Sequence, residues 1–244
     1  MKTLIIIPSR LGASRLPGKP LLKINGLSII SHVFKKAEKA NIGEVLVATE
    51  DQEIIDEVKR NGGQAILTKR DHRTGTDRIY EALKKLDSSK IDLIMNLQGD
   101  EPLMNIEDIR YLNSQMIKNK SQLGTLGSKI SDIKIHNNKN IVKVITEKNL
   151  NNSNFPVAIN FMRKISTQTK NIYRHLGIYC YQRETLKNFV SYDQSSNELE
   201  NRLEQLRALD NNIKINVGLA KSSPIGLDTK EDFVAIKKIM EYKS

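Results

Sequence analysis

The sequence predicts an α/β fold built on a mainly parallel central sheet. Three observations carry that expectation. Short apolar runs recur at Leu4–Ile7, Val45–Ala48, Ala65–Leu67 and Ile91–Leu97. Segments with helical spacing of apolar residues separate them. The turns after the first and fourth runs are rich in glycine, proline and charge, as at the carboxyl edge of an open sheet where ligands bind.

Taken in order, residues 3–7 read as a buried strand. Ser28–Ala40 follows as a helix, with Ile29, Ile30, Val33, Phe34 and Ala37 at helical spacing. Val45–Ala48 is the second strand, and Gln52–Arg60 a helix closed by Gly62-Gly63. Ala65–Leu67 is a third short strand. Thr76–Leu86 is a helix with Ile79, Ala82, Leu83 and Leu86 on one face, and Ile91–Leu97 the next strand. Repeated βα units of this length imply parallel strands and right-handed crossovers.

The middle is less regular. Leu123–Leu126, Ile141–Ile145 and Leu176–Tyr181 read as strands, with Asn-rich loops at 136–140 and 149–154. Asn197–Asn211 reads as one helix with Leu199, Leu203, Leu206 and Leu209 in a stripe. Ile213–Leu219 is a strand. Thr229, with Asp232 three positions on, caps a last helix that turns Phe233, Ile236, Ile239 and Met240 inward. The plan is one domain over 1–244, with a lobe inserted at roughly residues 120–175, outside the regular βα pattern.

Composition narrows the function classes. The 244 residues carry 27% charged and 39% apolar side chains, which suits a globular protein with a sizeable core. One cysteine, Cys180, excludes an intrachain disulfide and suits a reducing compartment. The apolar run near Met1 is too short for a signal peptide, and no run approaches a membrane span, so the expected location is cytoplasmic, without a membrane partner. The net charge is +11. The lysines are scattered and no basic run is interleaved with aromatics, so an anionic small-molecule pocket is favoured over nucleic acid.

The first loop, Ser9-Arg10-Leu11-Gly12-Ala13-Ser14-Arg15-Leu16-Pro17-Gly18-Lys19-Pro20, places three cations on a Gly/Pro frame. Glycine admits close anion approach, and Arg10, Arg15 and Lys19 can converge on a triphosphate. It is not a P-loop: five residues separate Gly12 from Gly18, and Pro20 follows Lys19 where that motif needs Ser or Thr. In Leu97-Gln98-Gly99-Asp100-Glu101-Pro102, a carboxylate directly follows a buried strand and can hold Mg²⁺ beside substrate phosphates, although Gly-Asp also suits a plain turn. Asp228 is the second candidate carboxylate, provided that Thr229 does the capping. Arg73-Thr74-Gly75-Thr76 opens a helix and can read a base or phosphate, or be simply a well-capped start. His175 and Tyr179 share one side of a strand. Glu204 is either a buried acid in need of a partner or half of a surface pair with Arg207.

Together these segments resemble the CMP-Kdo synthetase family, the 3-deoxy-manno-octulosonate (Kdo) cytidylyltransferases. The similarity runs through Ser14-Arg15-Leu16-Pro17-Gly18-Lys19-Pro20-Leu21, Asn96-Leu97-Gln98-Gly99-Asp100-Glu101-Pro102, Arg174-His175-Leu176-Gly177-Ile178-Tyr179, Leu203-Glu204-Gln205-Leu206-Arg207-Ala208-Leu209 and Gly226-Leu227-Asp228-Thr229. The order matches that of the family, and nearly the whole chain is covered. The resemblance implies a Rossmann-like nucleotide-diphospho-sugar transferase fold, a homodimer, and an inserted lobe for dimerisation and sugar binding. It implies that Arg10, Ser14, Arg15, Lys19, Arg73, Thr74 and Gln98 hold CTP, and that Asp100 and Asp228 bind Mg²⁺. Arg163, His175, Tyr179, Glu204 and Gln205 would hold the acid sugar. Asn160-Phe161-Met162-Arg163 departs from the family's usual Tyr-Phe-Ser-Arg. An 8-amino analogue of the sugar, or a sialic-type sugar, is therefore the alternative substrate. A glycosyltransferase of similar fold is a further alternative.

Overall fold

The computed structural model describes residues 1–12, 15–86, 90–130, 135, 138–165 and 169–242. Strand β1 (Thr3–Ser9) is buried along its whole length. It pairs in parallel with β4 (Gly43–Thr49) on one side and β6 (Leu93–Leu97) on the other. β5 (Ala65–Leu67) continues the sheet beyond β4, again parallel. Past β6, β10 (Ile172–Gln182) runs antiparallel to both β6 and β7 (Leu123–Ser128), and β11 (Ile215–Leu219) closes that side parallel to β7. The order is β11-β7-β10-β6-β1-β4-β5. β8 (Lys143–Thr146) and β9 (Ala158–Met162) lie off this path; β8 pairs with β10 and β9, and β9 with β8. A two-stranded hairpin, β2 (Lys23–Ile24) and β3 (Leu27–Ser28), precedes the first helix.

Strand alternation splits the core into two layers. Ile5 and Ile7 pack with Val33 and Phe34 of α1 (Ile29–Ala40), Ile54 and Val58 of α2 (Gln52–Arg60), and Leu112 and Met116 of α4 (Ile106–Asn119). Leu4 and Ile6 face the opposite layer, with Ile79 and Ala82 of α3 (Gly75–Lys85) and Leu186 and Phe189 of the helix Arg183–Ser191. The helix starts follow their side chains. Ser28 accepts from the Ser31 N–H, Asn105 from that of Glu107, and Thr74 with Asp77 and Thr229 with Asp232 form full capping boxes.

The expected helix over Asn197–Asn211 is broken. It comprises Ser196–Asn201 and Leu206–Asp210, with Arg202 in the left-handed region at φ 53 and Leu199 57% exposed. Glu198 and Arg207 explain the break. Nine positions apart, they would face opposite sides of a straight helix. Here the Arg207 guanidinium makes bonds of 2.7 and 2.6 Å to the two Glu198 carboxylate oxygens, both side chains buried. The anticipated Glu204–Arg207 surface pair is thereby replaced. α4, β9, the helix Arg183–Ser191 and the short elements between residues 19 and 28 escaped the sequence reading. β10 also begins four residues earlier than the expected strand, at Ile172.

Candidate active site

Parallel strands bring their carboxyl ends together, and a cleft of about 310 Å³ opens there. Arg10, Arg15, Lys19, Arg73, Gln98, Asp100 and Asp228 line it, with Thr74 and Arg78. The first loop is folded back on itself: the Gly18 N–H bonds the Leu11 carbonyl at 3.0 Å, and the Leu11 N–H bonds Asp51 Oδ2 at 2.7 Å. Gly18 sits at φ 71, a conformation natural to glycine, and leads into a single 3₁₀ turn, Lys19–Leu21. That turn, rather than an α-helix, follows the cations, in keeping with the absence of a P-loop motif.

Lys19 reaches from this turn into the cleft. Its Nζ donates to Asp100 Oδ2 at 2.5 Å and to the Leu227 carbonyl at 2.8 Å, and lies 3.7 Å from Asp228 Oδ1. Arg15 Nη2 is 3.2 Å from Asp228 Oδ2. Two carboxylates 128 positions apart in the chain therefore converge on one cation. The backbone locks them together, because the Leu227 N–H donates to the Asp100 carbonyl at 2.8 Å. Asp228 is free for this role because Asp232 takes up the Thr229 and Asp228 N–H groups.

Several supporting residues were not singled out from the sequence. Asp108 of α4 is fully buried and accepts from Lys221 N–H, Ser222 N–H and Ser222 Oγ, at 2.7, 3.2 and 2.6 Å. Arg174 donates to Ser223 Oγ and the Pro224 carbonyl. These bonds fix the segment that ends at Asp228. Glu101 packs so tightly that a Cβ at Gly226 would meet its Oε1 at 3.0 Å, and one at Gly177 at 3.3 Å. Burial, reinforced by Asp100, pushes its carboxyl up to about 8, against the pull of Arg174. Its adjacency to Asp100 was the available signal.

Of the nucleotide set, Arg10, Arg15, Lys19, Arg73, Thr74 and Gln98 share the cleft; Ser14 lies outside the described residues. The Thr74 hydroxyl is engaged in its capping box, and Gln98 Nε2 donates to Asn96 Oδ1 at 2.9 Å.

The sugar set does not line that cleft. It forms a neighbouring cluster on β10 and the broken helix. His175 rests its ring edge-on to Phe161, 5.1 Å between centroids, and 5.3 Å from Tyr179. Thr125 Oγ1 donates to the Ile178 carbonyl at 2.7 Å and so accepts from His175 Nε2 at 2.9 Å, which leaves Nδ1 as an acceptor. Burial pushes His175 down to about 3, so the ring is neutral. Tyr179 is raised by burial, then by Tyr181 and Glu204. Glu204 is raised by burial, against the lowering pull of Thr76 and Thr74, and Gln205 is buried beside it. Arg163 bonds the carbonyls of Lys139, Asn201 and Arg202 at 3.1–3.2 Å and lies within electrostatic range of Arg15 and Asp228 at the cleft.

A family described as Cytidylyltransferase matches residues 4–215. The chain belongs to the cytidylyltransferase family. A 3-deoxy-manno-octulosonate cytidylyltransferase of Afipia carboxidovorans is 40% identical over 240 residues, covering 98% of this chain and 96% of its own. The enzyme of that name from Thermodesulfovibrio yellowstonii is 41% identical over 251 residues, covering 98% of each. A solved CMP:2-keto-3-deoxy-manno-octonic acid synthetase, complexed with CTP, superposes with a TM-score of 0.90 at 34% identity over the full length of both chains.

The cleft of this cytidylyltransferase fits a divalent cation. Asp100 and Asp228 already close on the Lys19 ammonium, so their oxygens can share one positive centre. Two carboxylates completed by substrate phosphate oxygens and water make the oxygen set that small divalent ions prefer. Among the described residues, no group of three or more His, Cys, Asp and Glu side chains is placed to enclose a metal without a substrate. No helix in the described residues is long and apolar enough to cross a membrane.

Proposed function

We propose that the protein joins CTP to 3-deoxy-manno-octulosonate, releasing CMP-Kdo and pyrophosphate for lipopolysaccharide biosynthesis. The observation that carries this reading is the convergence of Asp100 and Asp228 on the Lys19 ammonium in a cleft rich in arginine. The names of the full-length relatives point the same way. In the reaction, the anomeric hydroxyl attacks the α-phosphorus. A phosphorus–oxygen bond forms to the sugar, the hydroxyl proton passes to solvent water, and the bond to the bridging oxygen breaks with its electron pair leaving on pyrophosphate. Asp100 and Asp228 hold Mg²⁺, which when bound supplies charge neutralisation at the α-phosphate and acidifies the attacking hydroxyl.

The protein's own part is positioning and electrostatics. Arg10, Arg15 and Lys19 stabilise charge growing on the departing pyrophosphate. Ser14, Arg73, Thr74 and Gln98 complete the CTP site. Arg163, His175, Tyr179, Glu204 and Gln205 orient the sugar, with neutral His175 offering Nδ1 as an acceptor and the buried Glu204 facing its hydroxyls. The 143–162 hairpin, part of the lobe at roughly 120–175, forms the homodimer contact in this reading; Ile159 on β9 is 60% exposed. A buried free Cys180 is compatible with a cytoplasmic enzyme.

The test is pyrophosphate release with CTP, Mg²⁺ and a panel of Kdo, its 8-amino analogue and a sialic acid, with UTP and ATP as controls. Turnover with CTP and Kdo is expected, and preference for the amino sugar would transfer the assignment to that substrate. No pyrophosphate with any acid sugar would refute the reading. Sedimentation as a monomer would remove the dimer from it.

A further inference from the structure

Helix α3 does more than open at Thr74. Three side chains on one of its faces, at positions 78, 81 and 85, grip the loop that precedes it. Lys85 Nζ donates to the Leu67 carbonyl at 2.7 Å. Arg78, buried and braced by Glu50, donates to Thr68 Oγ1 at 2.5 Å and to the Lys69 carbonyl at 3.0 Å. Glu81 Oε2 accepts from the Lys69 N–H at 3.0 Å and from His72 Nε2. The opposite oxygen of Glu81 lies 2.6 Å from Lys85 Nζ.

The loop so held delivers Arg73 and Thr74 to the cleft, and it has little else to hold it. Its strand β5 is three residues long at the sheet edge, and the Thr68 N–H bond to the Thr49 carbonyl at 2.7 Å is its last tie to β4. From there to Thr74, an exposed segment would sample many conformations at a cost of roughly 1–2 kcal/mol per residue to order. A buried carboxylate that binds both a backbone N–H and a side chain of the segment removes that freedom before the ligand arrives.

We propose that Glu81 is a positioning residue for nucleotide binding: through Lys69 and His72 it pre-forms the 68–74 loop, so that Arg73 meets CTP without a prior ordering step. The inference rests on the reading of Arg73 and Thr74 as CTP-binding residues. Glu81 does not touch the nucleotide in this role; it acts through the loop.

The test is steady-state pyrophosphate release on Arg73→Ala, Glu81→Ala, Glu81→Gln and the double variant Arg73→Ala/Glu81→Ala. Glu81→Ala is expected to raise KM for CTP about tenfold, within the hundredfold that a misplacement of about 1 Å can cost, with KM for the sugar unchanged. Glu81→Gln keeps an acceptor oxygen at the same reach and should recover most of that loss. The double variant should be no worse than Arg73→Ala alone, because the two act through one contact. A multiplicative double variant, or an unchanged KM for CTP in Glu81→Ala while Arg73→Ala raises it, would overturn the inference and leave the CTP site standing. If neither single variant moves KM for CTP, both the loop assignment and the inference fall. Should Glu81→Ala not accumulate as folded protein, Glu81→Asp shortens the side chain by one methylene and serves the same comparison.

Discussion

Lys19→Met tests the centre of the site. The lysine side chain is 15% exposed, and its ammonium holds three oxygens: Asp100 Oδ2, the Leu227 carbonyl and, at longer range, Asp228 Oδ1. At an effective dielectric of about 20, a charge pair near 4 Å is worth roughly 4 kcal/mol before desolvation. Desolvation offsets most of that. Asp228, 43% exposed, rehydrates and contributes little. The net loss is then close to one charge-assisted hydrogen bond, about 2 kcal/mol. Catalysis should suffer more than stability. Removing one of three cations that face the leaving group is expected to lower kcat by about 10²–10³-fold, as for other pre-organised electrostatic groups. Urea unfolding with an unchanged m-value reports the first figure, and pyrophosphate release at saturating CTP the second. An unaltered kcat would refute the assignment of Lys19 to the leaving group, whatever the stability change.

Four further outcomes follow from the same geometry. Asp228→Asn should raise the Mg²⁺ concentration for half-maximal turnover and lower kcat by about a hundredfold, with EDTA abolishing activity of the parent; insensitivity to both would exclude Asp228 as a metal ligand. Glu198→Gln leaves a buried guanidinium uncompensated and should cost about 3–5 kcal/mol in urea unfolding, since both partners are under 5% exposed. Burial raises Glu81, but Lys85, the Lys69 N–H and His72 outweigh it and hold the carboxyl down to about 2 against an ordinary 4.5. Its contribution, at most about 3 kcal/mol, is present above pH 4.5 and lost as pH falls toward 2, so Glu81→Gln should flatten the acid limb of the stability curve over that window. Cys180→Ala should retain turnover, because burial raises the thiol and keeps it from acting as a nucleophile.

The N-terminal half was legible because its physics is local. β1, β6 and residues 45–49 of β4 are buried runs, α1 to α3 carry their apolar residues at helical spacing, and Ser28 and Thr74 cap α1 and α3. α4 was missed although Ile109, Leu112 and Met116 lie buried on it. Its buried face also includes the polar residues Asp108, Asn113 and Gln115, the first two with partners far along the chain, and that blurs the apolar stripe. β9 exposes Ile159 and leaves Asn160 half-buried, so it lacks the signature of a buried strand. The 197–211 segment has strong helical spacing, yet the demand for the buried Glu198–Arg207 pair overrides it. At the site, side chains in Gly/Pro-rich turns after strands were readable. Asp108, which holds a loop 113 positions away, and Glu81, which holds the loop before its own helix, carry no mark of that role in their neighbouring residues.

The two carboxylates that meet Lys19 are not equally secure. Asp100 follows β6 directly, and β6 pairs with β1 from Thr3↔Leu93 to Ile6↔Asn96, so the central sheet itself sets its distance from the Lys19 loop. Asp228 is nine residues beyond the end of β11, on a segment with no ladder of its own. Its position depends on Asp108 binding Lys221 and Ser222, Arg174 binding Ser223 and Pro224, and the Leu227 N–H on Asp100. Each tie reaches back to a rigid element: α4, β10 or the turn after β6. The segment therefore has native geometry without local secondary structure, and it is the part of the site that can loosen while the sheet stays intact. Arg174 and His175 are consecutive on β10. One strand thus fixes both the loop that ends in Asp228 and the ring cluster around His175.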